Sequence, residues 1–278
     1  RLLSDYVEGA HSSEWHKLKN DTHKYVKQTL LEVLQKEEDG PTRRVLCDLI
    51  GELFATIKKL DDEKKDAVQE EGKQWDLMPN IWGFLTSGNT ILMESALKIL
   101  GILFVYCGKE FAEHTQELFP ILKQALEHEN IRVKAGAIDA IANFIATMQT
   151  KYCKVFKDLI PLMLQSVILI VRDNEELGVD VLNQINDMVG AEPKIFSNNF
   201  KDFLDTMRAV SQMNVSVDSI RSNALEIIVL TFEMLPSYAK NNNIVIKEFF
   251  EACFAYMISC VEDVDKEWIS PPEGIRVN

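Results

Sequence analysis

Helix breakers are scarce: the 278 residues hold only 12 glycines and 8 prolines, and they cluster between apolar-periodic stretches. With 46% of residues hydrophobic, that scarcity points to a helical chain. Cysteine is thin and scattered. Cys47, Cys107, Cys153, Cys253 and Cys260 form no Cys-x-x-Cys pair, and no histidine stands at ligand spacing. This excludes a zinc site and leaves reduced core thiols of a cytosolic or nuclear protein. The longest nearly apolar stretch, Leu159 to Val171, is interrupted by Gln165 and Ser166 and is too short to span a bilayer. No secretory or transit segment is visible, and an opening Arg-Leu-Leu without Met reads as a piece excised from a longer chain.

Positive charge falls short of negative, 30 Lys and Arg against 43 Asp and Glu, for a net charge of −13. Phosphate contacts need clustered Lys and Arg, so the balance argues against nucleic acid as a partner and for basic proteins, with an attraction that salt weakens. Catalytic patterns are missing too. The five histidines (His11, His16, His23, His114, His128) form no His-Glu-x-x-His, and neither a Gly-rich phosphate loop nor a Gly-x-Ser-x-Gly elbow occurs. The carboxylates are dispersed along helix faces. The chain is read as a non-enzyme without metal or cofactor.

Three prolines depart from the scarcity in a regular way. Pro79, Pro120 and Pro161 recur at a step of 41 residues in similar phrases: Leu77-Met-Pro-Asn-Ile81, Leu118-Phe-Pro-Ile-Leu122 and Leu159-Ile-Pro-Leu-Met163. A proline within an apolar-periodic helix removes a hydrogen bond and bends it, so a repeated bend implies a copied unit. A period of about 40 to 47 is that of HEAT or armadillo helix pairs. The expected fold class is therefore all-α: a right-handed α-α superhelix of about five helix pairs plus flanking helices, running as one array over the whole chain.

Apolar periodicity sets the units at residues 22–60, 75–107, 111–148, 152–190 and 193–235, with a sixth first helix at 244–262. Within the units, first helices at 111–127, 152–172 and 193–213 are expected to be continuous. Asn89, Asn130, Asn174 and Ser216 suit helix N-caps, and Pro193 suits a first helical position. The charged insert 61–73 reads as a solvated loop or frayed helix end, and 263–278 as an acidic, proline-containing loop.

The second helices align on a column of Gly51, Gly101, Ala142, Asn186 and Val229, where neighbours are expected to approach closely. Three positions earlier they carry Asp48, Lys98, Asp139, Asn183 and Glu226. In the fourth unit Glu176, Asp180, Asn183 and Asp187 follow spacings of four, three and four, so they share one helix face. Stacking turns the column into a polar ladder on the concave surface, where carboxylates would take Lys and Arg from an extended peptide. For any single residue, the alternative is a wet helix face that binds nothing.

Several phrases, in order, make the chain resemble the N-terminal part of importin-β-family nuclear transport receptors, above all the importin five (Ran-binding protein five) branch. They are Arg1-Leu-Leu-Ser4, Arg44-Val-Leu-Cys-Asp48, Gln74-Trp75, Ala96-Leu97, Ala224-Leu-Glu-Ile-Ile-Val229 and the acidic run Glu262-Asp-Val-Asp-Lys-Glu-Trp268. The resemblance implies a monomeric receptor that carries basic, nuclear-localisation-type protein cargo through the nuclear pore, between cytoplasm and nucleus. It also implies Phe-Gly nucleoporins as partners and release of import cargo by the GTP form of the Ran GTPase. By the same resemblance Asp48, Glu52 and Lys98 would lie in or near a Ran footprint. Asp139, Asn143, Glu176, Asp180, Asn183, Asp187 and Glu226 would face cargo or Ran. Glu262, Asp263, Asp265, Glu267 and Trp268 would begin the family's acidic loop. Two features depart from the family pattern: Ile269-Ser-Pro-Pro-Glu273 stands where relatives continue acidic, and the 61–73 insert is longer. The alternative is a non-transport HEAT scaffold, such as a phosphatase regulatory subunit, which would hold a catalytic protein and ignore nucleotide state.

Overall fold

In the computed structural model, which describes residues 19–63, 77–240 and 243–268, every regular element is a helix. Helices α1 (Asn20–Lys36) and α2 (Gly40–Glu63) form one hairpin, α3 (Met78–Leu85) and α4 (Thr90–Phe111) the next, α5 (Thr115–Glu127) and α6 (Ile131–Thr147) a third. After a short α7 (Thr150–Cys153) come α8 (Ile160–Asp173) with α9 (Glu175–Ala191), then α10 (Phe200–Ser211) with α11 (Asp218–Met234). A short α12 (Pro236–Lys240) leads into α13 (Asn243–Trp268). The chain divides within α8 into two compact units, one ending at Ser166 and the other beginning at Val167.

Capping chemistry explains several of the helix starts. The Asn89 side chain accepts from the Ile91 and Leu92 N–H groups at 3.0 and 3.4 Å, Asn130 from Arg132 at 2.8 Å, and Asn174 from Leu177 at 2.9 Å. Each satisfies backbone donors that have no partner within the helix. The prolines act differently from the expectation. Pro79 and Pro161 are the second residues of α3 and α8, where a missing N–H is harmless, so they start helices and do not bend them; Pro120 alone of the three lies inside its helix. First helices expected to be continuous instead open with 3-10 segments, at Ala112–His114, Lys154–Leu159 and Pro193–Asn199. Helix α13 runs on through Trp268, correcting the expected loop from residue 263. No Gly or Pro interrupts the sequence before Pro271, and acidic and Lys residues tolerate the helix. Helix α2 similarly enters the charged insert as far as Glu63; residues 64–73 and 269–278 lie outside the described residues.

In the first unit, α4 packs between α2 and α6. Its residues Thr90–Gly108 are long and apolar enough to cross a membrane, a longer stretch than Leu159–Val171, but they form a core helix: Ala96, Leu97, Ile99, Leu100, Leu103 and Phe104 are all fully buried. Rings link the layers edge-on, with centroids 5.1 Å apart for Phe104 and Phe144 and 5.0 Å for Phe144 and Phe156, the geometry aromatic quadrupoles favour. The second unit has its own ring pair, Phe196 stacked on Phe203 at 4.2 Å.

The helices touch most closely at glycine. A Cβ built on Gly51 would stand 2.6 Å from Ile102 Cγ2, and one on Gly101 3.1 Å from Asn143 Nδ2. The small-residue column continues to buried Ala142 but not to Val229, which is 41% exposed. Opposite substitutions should therefore move stability in opposite directions. Gly51→Leu is expected to cost about 1–3 kcal/mol by overpacking the α2–α4 contact. Gly83→Ala, in exposed helix with nothing within 4 Å of the added carbon, should gain about 0.5–1 kcal/mol. Urea denaturation midpoints of the two variants check this pair.

Candidate partner-binding surface

Two rows of charge cross the second helices of the first unit. In one, Glu94 on α4 lies between Arg43 on α2 (Nη2 to Oε2, 3.4 Å) and Arg132 on α6 (Nη1 to Oε1, 3.8 Å). One helical turn on, Lys98 lies between Asp48 on α2 and Asp139 on α6, at 4.0 and 3.9 Å. Asp139 Oδ1 also accepts from Asn143 Nδ2, one turn along α6, at 3.2 Å. Glu52 follows Asp48 by one turn of α2 and is half-buried. The Asp48–Lys98–Asp139 column read from sequence is thus a physical row. It is not a run of one sign, because Lys98 separates the two carboxylates.

The Arg43–Glu94–Arg132 row was not anticipated. Its members stand five, four and seven residues before Asp48, Lys98 and Asp139, so no constant offset marks them. Long arginine side chains absorb the mismatch. Beside this row Cys47 is buried, and burial pushes its thiol up to about 12, so it remains an inert thiol.

In the second unit Glu176, Asp180, Asn183 and Asp187 are all exposed along one side of α9. Asn183 Oδ1 accepts from Asn223 Nδ2 on α11 at 3.1 Å. Sequence alignment on Val229 had set Glu226 opposite Asn183; the structure puts Asn223 there, one turn earlier, and leaves Glu226 exposed. A search for amides 40 residues apart would have found the pair. Ser216 likewise differs from its expected role, since its hydroxyl does not cap α11. The Glu175 carboxylate, at the start of α9, reaches across instead. It accepts from the Ser216 hydroxyl at 2.7 Å, the Ser216 N–H at 3.0 Å and the Val217 N–H at 2.8 Å. These bonds, the Ser216 hydroxyl foremost, hold the Glu175 carboxyl below its ordinary 4.5.

Glu262, Asp263, Asp265, Glu267 and Trp268 lie on the backbone of α13, with side chains outside the described residues. Among the described residues no group of three or more His, Cys, Asp and Glu is placed to hold a metal ion. What the described residues present is a set of carboxylates and amides along exposed or half-buried faces of the second helices.

Helix hairpins whose second members lie side by side within each unit define a helical-repeat fold. Residues 38–206, more than half of the chain, match a family described as IPO5-like, TPR repeats. Over 215 residues the chain is 22% identical to importin subunit beta-3 of Saccharomyces cerevisiae, a match covering 76% of this chain and 20% of the yeast protein. The karyopherin Kap121p bound to the SUMO protease Ulp1p is similar in structure with a TM-score of 0.71, at 18% identity over 99% of this chain and 25% of that one. Kap121p bound to Ste12p gives 0.70, at 20% identity over 93% and 24%. The chain belongs to the IPO5-like family of importin-β karyopherins and shares the all-α helical-repeat fold of these proteins. It spans about a fifth to a quarter of the length of the relatives it matches.

The Glu175 bridge carries a pH signature. Because its folded pKa is depressed, its stabilisation is present above 4.5 and is lost as pH falls through the lower folded value. Ser216→Ala removes the foremost cause, so the Glu175 carboxyl should titrate closer to 4.5 by carbon-detected NMR. The acid side of the melting-temperature profile should shift upward in pH with it.

Proposed function

We propose that the chain is part of a nuclear transport receptor that binds a basic, nuclear-localisation-type segment of protein cargo along its polar column and performs no catalysis. GTP-bound Ran displaces that cargo, Phe-Gly nucleoporins are further partners, and the receptor passes between cytoplasm and nucleus. The observation carrying this reading is the exposed stripe Glu176, Asp180, Asn183 and Asp187, joined to α11 through Asn223, in a chain of net charge −13. Carboxylates accept charge-assisted hydrogen bonds from Lys and Arg that are roughly twice as strong as neutral ones. The amide pair supplies donors and acceptors for a peptide backbone. Family membership favours transport over a phosphatase scaffold, and the structurally similar Kap121p has been seen bound to the proteins Ulp1p and Ste12p. Asp48, Glu52 and Lys98 are also read as lying in or near a Ran footprint, and Asp139, Asn143 and Glu226 as facing cargo or Ran.

Reversing Asp180 and Asp187 to Lys should weaken a basic cargo peptide about tenfold, as two surface charge contacts of up to about 1 kcal/mol each are lost. The thermal transition should barely move, since exposed charge changes usually shift stability by less than about 0.5 kcal/mol. Fluorescence anisotropy with unchanged peptide affinity would remove the column from the function. On the protein extended to the length of its relatives, Ran loaded with GTP should bind more tightly than Ran loaded with GDP; equal affinities in a titration would overturn the Ran assignment.

A further inference from the structure

The two charge rows of the first unit share a plan and differ in closure. Both place one charged residue of α4 between opposite charges on α2 and α6. In the Glu94 row the central carboxylate is 19% exposed, and the Arg43 guanidinium that closes on it at 3.4 Å is 9% exposed. In the Lys98 row the central ammonium is 41% exposed, and it stops 4.0 and 3.9 Å from oxygens of Asp48 and Asp139, whose side chains are 50% and 18% exposed. Those separations lie beyond the usual hydrogen-bond range of about 2.7–3.2 Å, so both contacts are long-range attraction between groups that water also reaches. The first row is closed on its Arg43 side and open on its Arg132 side, where the guanidinium is 47% exposed and 3.8 Å from Glu94; the second is open at its centre, Lys98. Lys98 hangs on a flexible four-carbon stem and can swing out into water, and the half-buried Asp139 then keeps its hydrogen bond from Asn143.

We propose that Lys98 is an exchangeable counterion. It occupies the cation position between Asp48 and Asp139 in the free protein and yields that position to a cation of a bound basic segment. The consequence is a preference for arginine. An incoming lysine replaces one ammonium by another and gains little, whereas a guanidinium presents a planar fork that hydrogen-bonds carboxylates bidentately where Lys98 makes no hydrogen bond. Lys98 thus sets a threshold that arginine-bearing segments pass more readily than lysine-bearing ones. This rests on the reading that the polar column takes a basic segment.

The test uses two peptides of one sequence, with arginine or lysine at every basic position, titrated against the protein extended to the length of its relatives. The parent should bind the arginine peptide more tightly. Lys98→Met should raise affinity for both peptides about fivefold at low salt, the size of one like-charge contact at about 4 Å in water, and should leave the arginine peptide the tighter of the two. The gain should fade in high salt, and Lys98→Gln should reproduce it while Lys98→Arg should not. Melting curves and circular dichroism establish that each variant is folded. If Asp139→Asn weakens the peptides while Lys98→Met leaves affinity unchanged or lowers it, Lys98 is a fixed bridge or a direct contact, and the exchange is overturned alone. If Asp48→Asn, Asp139→Asn and the reversal at Asp180 and Asp187 all leave affinity unchanged, the basic-segment reading itself fails and takes the exchange with it.

Discussion

Close approach of neighbouring second helices is the constraint from which the rest follows. Gly51 gives Ile102 room against α2, and Gly101 brings α4 against α6, where an added Cβ would lie 3.5 Å from the Ala140 backbone and 3.4 Å from Asp139 Oδ2. Those two contacts fix how far a side chain one turn away must reach. Asp48 and Lys98 precede Gly51 and Gly101 by three residues, so the separation set by the glycines is also the separation between charges on adjacent helices. Larger residues at these levels would widen the helix spacing and move the carboxylates away from Lys98. Apolar packing and the surface's charge pattern are therefore one property in this unit.

The two units hold their second helices together by different polar chemistry. In the first, charged residues of α4 bridge carboxylates or guanidinium groups on both flanks. In the second, a neutral amide pair, Asn183 and Asn223, does so in the body of α9 and α11, and the Glu175 carboxylate does so at their starts. The carboxylate also answers the exposed N–H groups of a helix terminus, where negative charge is favoured. One side chain thereby replaces both a local cap and an inter-helix contact.

What could be read from the sequence was whatever repeats at a fixed offset along the chain. The 41-residue proline step led to paired helices, the asparagines before α4, α6 and α9 to caps, and the three-residue offset from the glycines to the Asp48–Lys98–Asp139 row. What escaped depends on reach or on local winding. Arg43 and Arg132 meet Glu94 from unequal offsets because their side chains are long and flexible. Asn223 was hidden by aligning α11 on Val229, whose exposure shows that no close contact pins that level. The 3-10 openings at Lys154 and Pro193 follow from hydrogen bonding over three residues instead of four, which an apolar pattern does not report.

The neutral bridge has an electrostatic consequence. An Asn183–Asn223 hydrogen bond joins α9 to α11 without neutralising any charge, so Glu176, Asp180 and Asp187 on α9 and Glu226 on α11 contribute their full negative potential to the exposed face. In the first unit the bridging group is itself a cation, and Asp48 and Asp139 are partly offset by Lys98 before any partner arrives. A basic segment is therefore attracted more strongly, at range, to the second unit's stripe than to the first unit's row. The first unit answers chiefly to what a cation can do at contact. Charge density separates the two: on the proposed reading, the amide-bridged face favours encounter with any polycation, and the lysine-bridged face is where cations are told apart at contact.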